Sequence, residues 1–275
     1  VAFFKGEKKR WKLLILNIGA ILNGLEVFLL VFVRMTGLFV IAPIFGRRNV
    51  PSYFKIGLSF MLALILSNAM SFETPVYADS IYGYGFLVIK EFLVGIIIGY
   101  VAYLVFSAVY IAGQIIDMQV GFGMVNVMDP VNSIQVPISA NFYYIIAMVI
   151  FLIADGHHML IKALYASFNA IPPGRAVFSD SLINDMIRLM NNMFLTGFKI
   201  AAPVLATILL ADIALGILMK TIPQLNIFVV GIPLKMILGL IILVLTIPLF
   251  ISIVDVLING MNSEILNFLM HMAEP

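Results

Sequence analysis

The chain has 275 residues, 63% of them hydrophobic and only 11% charged, against about 25% charged in ordinary soluble domains. Its formal net charge of +2 is too small to argue for nucleic acid, and with no cysteine it has no disulfides, zinc–thiolate sites or thiol nucleophiles. A mean hydropathy of +1.11 makes the membrane segment, and not the soluble domain, the unit of organisation.

Residues 1–24 form a basic amphipathic extension, VAFFKGEKKRWKLLILNIGAIL and onward. Its apolar part runs through Glu26 to Arg34 without the small-residue pattern of a signal cleavage site. It is therefore expected to be retained, with Trp11 and its lysines at the headgroup level. Six main apolar segments follow, at about 25–45, 56–72, 86–116, 136–154, 193–219 and 225–254. Residues 92–116 contain no Asp, Glu, Lys or Arg over 25 positions. As a helix they reach ~37 Å, beyond the ~30 Å hydrocarbon layer of a bilayer. Residues 256–272 carry apolar positions at helical spacing and suit a short interfacial helix.

No segment alternates with period two over ten residues, which argues against a membrane β-barrel. In lipid the backbone must satisfy itself, so the expected class is an all-α integral membrane protein of about six long apolar helices. Pro43, Pro137, Pro203, Pro223, Pro233 and Pro248 lie within or at the edges of apolar segments. Each removes a donor and tends to kink or end a helix, which predicts broken hairpins rather than plain spans. Gly95 and Gly99 make GIIIG, a face for close helix packing. The basic residues give contradictory orientation signals. Lys5, Lys8, Lys9, Arg10 and Lys12 ask for a cytoplasmic N-terminus, and Arg47, Arg48 and Lys55 ask the same of the first loop.

Ionisable groups inside apolar helices are costly and each is a functional hypothesis. Here they are Glu26, Arg34, Lys90, Glu91, Asp117, Asp155, Lys199, Asp212 and Lys235. Lys90 and Glu91 stand at a segment start and read as interface markers. Arg34, Asp212 and Lys235 lie deeper with no neutralising neighbour in sequence. They are expected to line a hydrated lumen or to meet charges on a partner subunit, and whether Asp212 and Lys235 meet each other stays open.

Residues 155–158 read Asp-Gly-His-His, but adjacent histidines on a helix point about 100° apart and chelate one metal poorly. A helix-end turn is expected there. No HExxH, G-x-S-x-G, Walker or dinucleotide glycine pattern occurs, so no catalytic, cofactor or metal residue is assigned and the protein is expected not to be an enzyme. In the polar stretch 155–192, Pro172 and Pro173 predict a turn and Ser181 predicts a helix cap. The segment GFGMVNVMDPVNS (121–133) interrupts two apolar stretches with Gly121 and Gly123, a turn at Asp129–Pro130, and the bulky Phe122, Met124 and Met128. One reading is a loop tucked against neighbouring helices. The other is a flexible plug that closes a pore by packing and dewetting.

Four pieces, RMTGLFVIAPIFGRRNVP (34–51), GQIIDMQVGFGMVNVMDP (113–130), ADGHHMLIKALYASFNAIPPG (154–174) and IPQLNIFVVGIPLKMILGL (222–240), together resemble the FliR family. These are the R-type export-gate subunits of the flagellar type III secretion apparatus. The resemblance implies a non-enzymatic subunit of a conduit in the bacterial inner membrane, at the flagellar basal body. It implies P-type (FliP) and Q-type (FliQ) partners, FlhB and FlhA nearby, and unfolded flagellar proteins as cargo. No nucleic acid and no cofactor are implied. It further implies P-type-like hairpins over 25–190, with a plug loop within 117–137, and a Q-type-like hairpin over 191–275 carrying the short C-terminal helix. The plug would be Gly121, Phe122, Gly123, Met124, Met128, Asp129 and Pro130. Arg34, Asp155, Asp212, Pro223, Gln224, Asn226 and Lys235 would be polar assembly positions. The alternatives are the T-type subunit of a virulence injectisome, a secondary transporter or permease subunit, or an intramembrane enzyme built on Asp155, His157 or His158.

Overall fold

A computed structural model describes residues 24–47, 49–70, 81–122, 137–222 and 227–273. Among them there is no strand, as the all-α expectation requires. The helices are α1 (Gly24–Ile41), α2 (Ser52–Ala69), α3 (Ile81–Val120), α4 (Ile138–Ile153), α5 (Gly156–Ala170), α6 (Asp180–Thr221), α7 (Ile227–Leu245) and α8 (Ile247–Ala273). Five are long and apolar enough to cross a membrane, or six if α4 and α5, bent by 65° at their junction, count as one span.

Two helices outreach a bilayer. α3 has 40 residues and α6 has 42. At ~1.5 Å per residue each extends about 60 Å, twice the ~30 Å hydrocarbon layer. α6 begins with Asp180 and carries Lys220 in its last turn, charges that suit the helix dipole at either end. Its cap is Ser179, whose carbonyl accepts from the Leu182 amide at 3.1 Å, two residues earlier than the expected cap at Ser181. Pro203 and Pro233 sit inside α6 and α7 without ending them.

The apolar run 225–254 is not one helix. It divides at Thr246, because Pro248 has no amide to give the Val244 carbonyl and its ring crowds that oxygen. The first turn of α8 accommodates the proline. The expected interfacial helix 256–272 is then the continuation of α8, whose 27 residues qualify as a span.

The described residues divide into two compact units. The first comprises those within 1–100, 160–182 and 265–275. In it α1 packs on the first half of α3 through glycine. A Cβ on Gly95 would collide with the Arg34 carbonyl, and one on Gly37 with the Phe92 carbonyl. The GIIIG face is therefore a backbone-to-backbone crossing. Leu30, Leu38, Phe39, Ile98, Leu164 and Phe268 are fully buried in its core. Phe60 of α2 meets Phe28 and Phe32 of α1 edge-on, at 5.4 and 6.1 Å between ring centroids.

The second unit comprises residues 101–159 and 183–264. Gly113 of α3 lies against Ala140 of α4, Gly197 of α6 against Ala108, and Gly239 of α7 against Val120. Tyr143 stacks on Phe250 at 4.3 Å between centroids. Residue 190, the expected P-type to Q-type join, falls inside α6.

Much apolar side-chain surface faces outward. On α2 these are Tyr53, Phe54, Ile56, Phe60, Met61, Leu64 and Ile65, and only 11% of that helix is buried within the chain. Surface of this extent needs lipid or protein to cover it.

Candidate functional site

The end of α3 and the start of α4 flank residues 121–137, and one residue holds both, through its backbone carbonyl at α3 and its carboxylate at α4. α3 stops at Gly121, which takes φ = 94°, a left-handed conformation that glycine adopts without strain. The amides of Gly121 and Phe122 both donate to the Asp117 carbonyl, at 3.2 and 3.1 Å. This is the αL helix stop in which amides one and two residues past the end turn back on the last turn. The Asp117 side chain then reaches α4. Its Oδ1 accepts from the Ser139 amide at 2.9 Å and its Oδ2 from the Ala140 amide at 3.5 Å. Pro137, the residue before α4, offers no side-chain cap, so Asp117 supplies one from another helix. Asp117 is buried, and its charge sits at the positive end of α4. Gly121 and Phe122 of the expected plug are thus placed at a tied loop base. Gly123, Met124, Met128, Asp129 and Pro130 lie outside the described residues, as do Pro223, Gln224 and Asn226.

Arg34 answers its charge within the chain. Its Nε donates to Glu91 Oε2 at 2.6 Å, and both side chains are fully buried. Nη1 donates to Ser167 Oγ at 3.1 Å and Nη2 to the Ile171 carbonyl at 3.0 Å. The guanidinium lies over the Phe168 ring, 4.2 Å from its centroid. Glu91 Oε1 takes the Gly174 amide at 2.8 Å. Gly174 has φ = 84° and follows Pro173 in a turn closed by the Arg175 amide on the Pro172 carbonyl. That turn is the one the proline pair predicts. The expectation of a lumen or partner for Arg34 is corrected, and so is the interfacial reading of Glu91. The cause is the α1–α3 glycine contact, which brings residues 57 apart in sequence side by side.

Lys235 and Asp212 likewise find each other, Nζ to Oδ1 at 2.5 Å, where α7 returns along α6. The lysine is 23% and the aspartate 37% exposed, so the pair is neutralised but not enclosed. The two charges thus meet each other, one of the pairings that the sequence leaves open.

Asp155 stands between α4 and α5 with φ = 53°. Its Oδ1 meets His158 Nδ1 at 3.1 Å, and the His157 and His158 rings lie 4.1 Å apart by centroid. A ligand atom from each of Asp155, His157 and His158 falls within 4.8 Å of the others, closer than a regular-helix projection implies.

Ser167 and the Ile171 carbonyl are the functional groups the sequence did not point to. The available signal was a serine on the apolar side of α5, the side that also carries Leu160, Leu164 and Phe168.

Residues 25–261 match the bacterial export proteins, family 1. The flagellar biosynthetic protein FliR of Bacillus subtilis is 39% identical over 238 residues, covering 86% of this chain and 91% of that protein. FliR of Escherichia coli is 30% identical, covering 90% and 93%. FliR of Aquifex aeolicus is 30% identical, covering 80% and 85%. With apolar helices of membrane-spanning length throughout, the chain belongs to the bacterial export proteins, family 1, as a member of the FliR family of the flagellar export apparatus.

Proposed function

We propose that this chain is a structural pore subunit of the flagellar protein-export gate. It joins P-type (FliP) and Q-type (FliQ) subunits, near FlhA and FlhB, in a conduit for unfolded flagellar proteins at the basal body in the inner membrane. It does so without chemistry of its own. Residues 25–190 act as the P-type-like part and 191–275 as the Q-type-like part. The observation that carries this reading is α3. Its 40 residues end at Gly121 on the Asp117 carbonyl, and the Asp117 carboxylate caps the start of α4. A ~60 Å apolar helix overshoots a ~30 Å hydrocarbon layer and calls for protein around its excess length. Helix ends fixed on either side of the Met- and Phe-bearing sequence 121–130 suit a plug that moves without unravelling its helices.

The test is deletion of residues 121–128 in the assembled gate, with ion conductance as the readout. The deletion is expected to make the resting gate leaky to small ions. Unchanged conductance would count against the plug.

A further inference from the structure

We propose that Asp155, His157 and His158 form a binding site for a divalent transition-metal ion of the zinc, nickel or copper class, at the corner between α4 and α5. The sequence argues against such a site, because neighbouring helical histidines project in different directions. In the structure the side chains close that gap. The two rings lie 4.1 Å apart at an interplanar angle of 37°, and one ligand atom from each of the three residues lies within 4.8 Å of the others. Two imidazoles and a carboxylate are a donor set of borderline softness that suits these ions, and three protein ligands leave a fourth position for water.

Two further features point the same way. Asp155 holds a left-handed backbone conformation, φ = 53°, uncommon for a residue with a side chain, and this sets its carboxylate beside the first turn of α5. The Nδ1 atom of His157 is shielded from solvent and has no hydrogen-bond partner among the described residues. A metal bound through Nδ1 supplies the partner that this atom lacks. The positive end of α5 opposes a cation, and the Asp155 charge offsets it. The site is therefore expected to be weaker than a closed structural zinc site.

The competing explanation is local. Asp155 occupies the cap position of α5 and His158 the third helical position, so their 3.1 Å contact is also that of a capping pair. Two substitutions separate the readings. Asp155→Asn keeps a capping side chain, and His158→Gln keeps a residue able to reach back to the cap, while each removes a metal ligand.

The full chain, purified in detergent, is titrated with cobalt(II) as an optical probe, followed by zinc(II) as competitor. The expected result is one equivalent of cobalt with the visible bands of a low-coordinate site, displaced by zinc. Asp155→Asn, His157→Gln and His158→Gln should each lose those bands while keeping the helical circular dichroism and gel-filtration position of the parent. Failure of the unsubstituted chain to bind one equivalent overturns the proposal, whatever the variants do. So does retention of parental cobalt binding by the Asp155→Asn/His158→Gln double variant.

Discussion

Arg34 of α1 and Glu91 of α3 form an ion pair at 2.6 Å with neither side chain exposed to solvent. Around them Ser167 and the Ile171 carbonyl accept from the arginine, and the Gly174 amide donates to the glutamate. Such a cluster favours one packing of its elements over others, because any slip leaves a buried charge alone. Breaking a buried pair from one side typically costs about 3–5 kcal/mol. Arg34→Met is therefore expected to lower the thermal stability of the detergent-purified protein by that order. Arg34→Met combined with Glu91→Leu should recover part of the loss. Equal loss in the single and double variants would show that the ion pair is not the source.

The glycine crossing gives a matched pair of substitutions on one helix. At Gly95 a methyl group meets the Arg34 backbone, whereas at Gly85 it meets open space. Overpacking of this kind costs about 1–3 kcal/mol. Gly95→Ala should destabilise accordingly. Gly85→Ala should be neutral or stabilising by up to about 1 kcal/mol, since alanine is the better helix former. Thermal unfolding of both variants checks the difference in sign.

The Asp117 carboxylate caps α4 from the last turn of α3, so its removal acts on that junction more than on the rest of the fold. Asp117→Ala is expected to cost about 1–2 kcal/mol as a lost helix cap. It should also raise the rate of limited proteolysis between residues 121 and 137. Asp117→Asn, which keeps the acceptor oxygen, should have the smaller effect on both readouts.

Asp212 and Lys235 neutralise each other inside the chain. Reversing one charge, as in Lys235→Asp, leaves two like charges in contact on apolar helices and should impair swimming motility. The exchange Asp212→Lys with Lys235→Asp restores opposite charges and should recover it. If the exchange behaves no better than the single reversal, the pair acts through some other contact.

The helical class, the GIIIG packing face and the proline turn at 172–173 were all legible in the sequence. Each rests on local pattern, such as charge-free length, small-residue spacing or turn chemistry. The charge pairings were not legible. Arg34 and Glu91 are joined only by the α1–α3 crossing, and Lys235 meets Asp212 only after α7 turns back. The helical spacing seen in residues 256–272 was real, but Pro248 marks where that helix starts, and the helix is a long one. Asp117 appeared as one ionisable residue among nine. Its role depends on the first turn of a different helix, which no spacing along the chain announces.

The most direct test of a gate subunit is what travels with it. The affinity-tagged chain is expressed together with its genomic neighbours, solubilised and sized, and its companions are identified by mass spectrometry. The account predicts a stable multi-subunit particle that contains small two-helix membrane proteins. A chain that purifies alone as a stable monomer under those conditions, and moves a small solute into liposomes unaided, would contradict it.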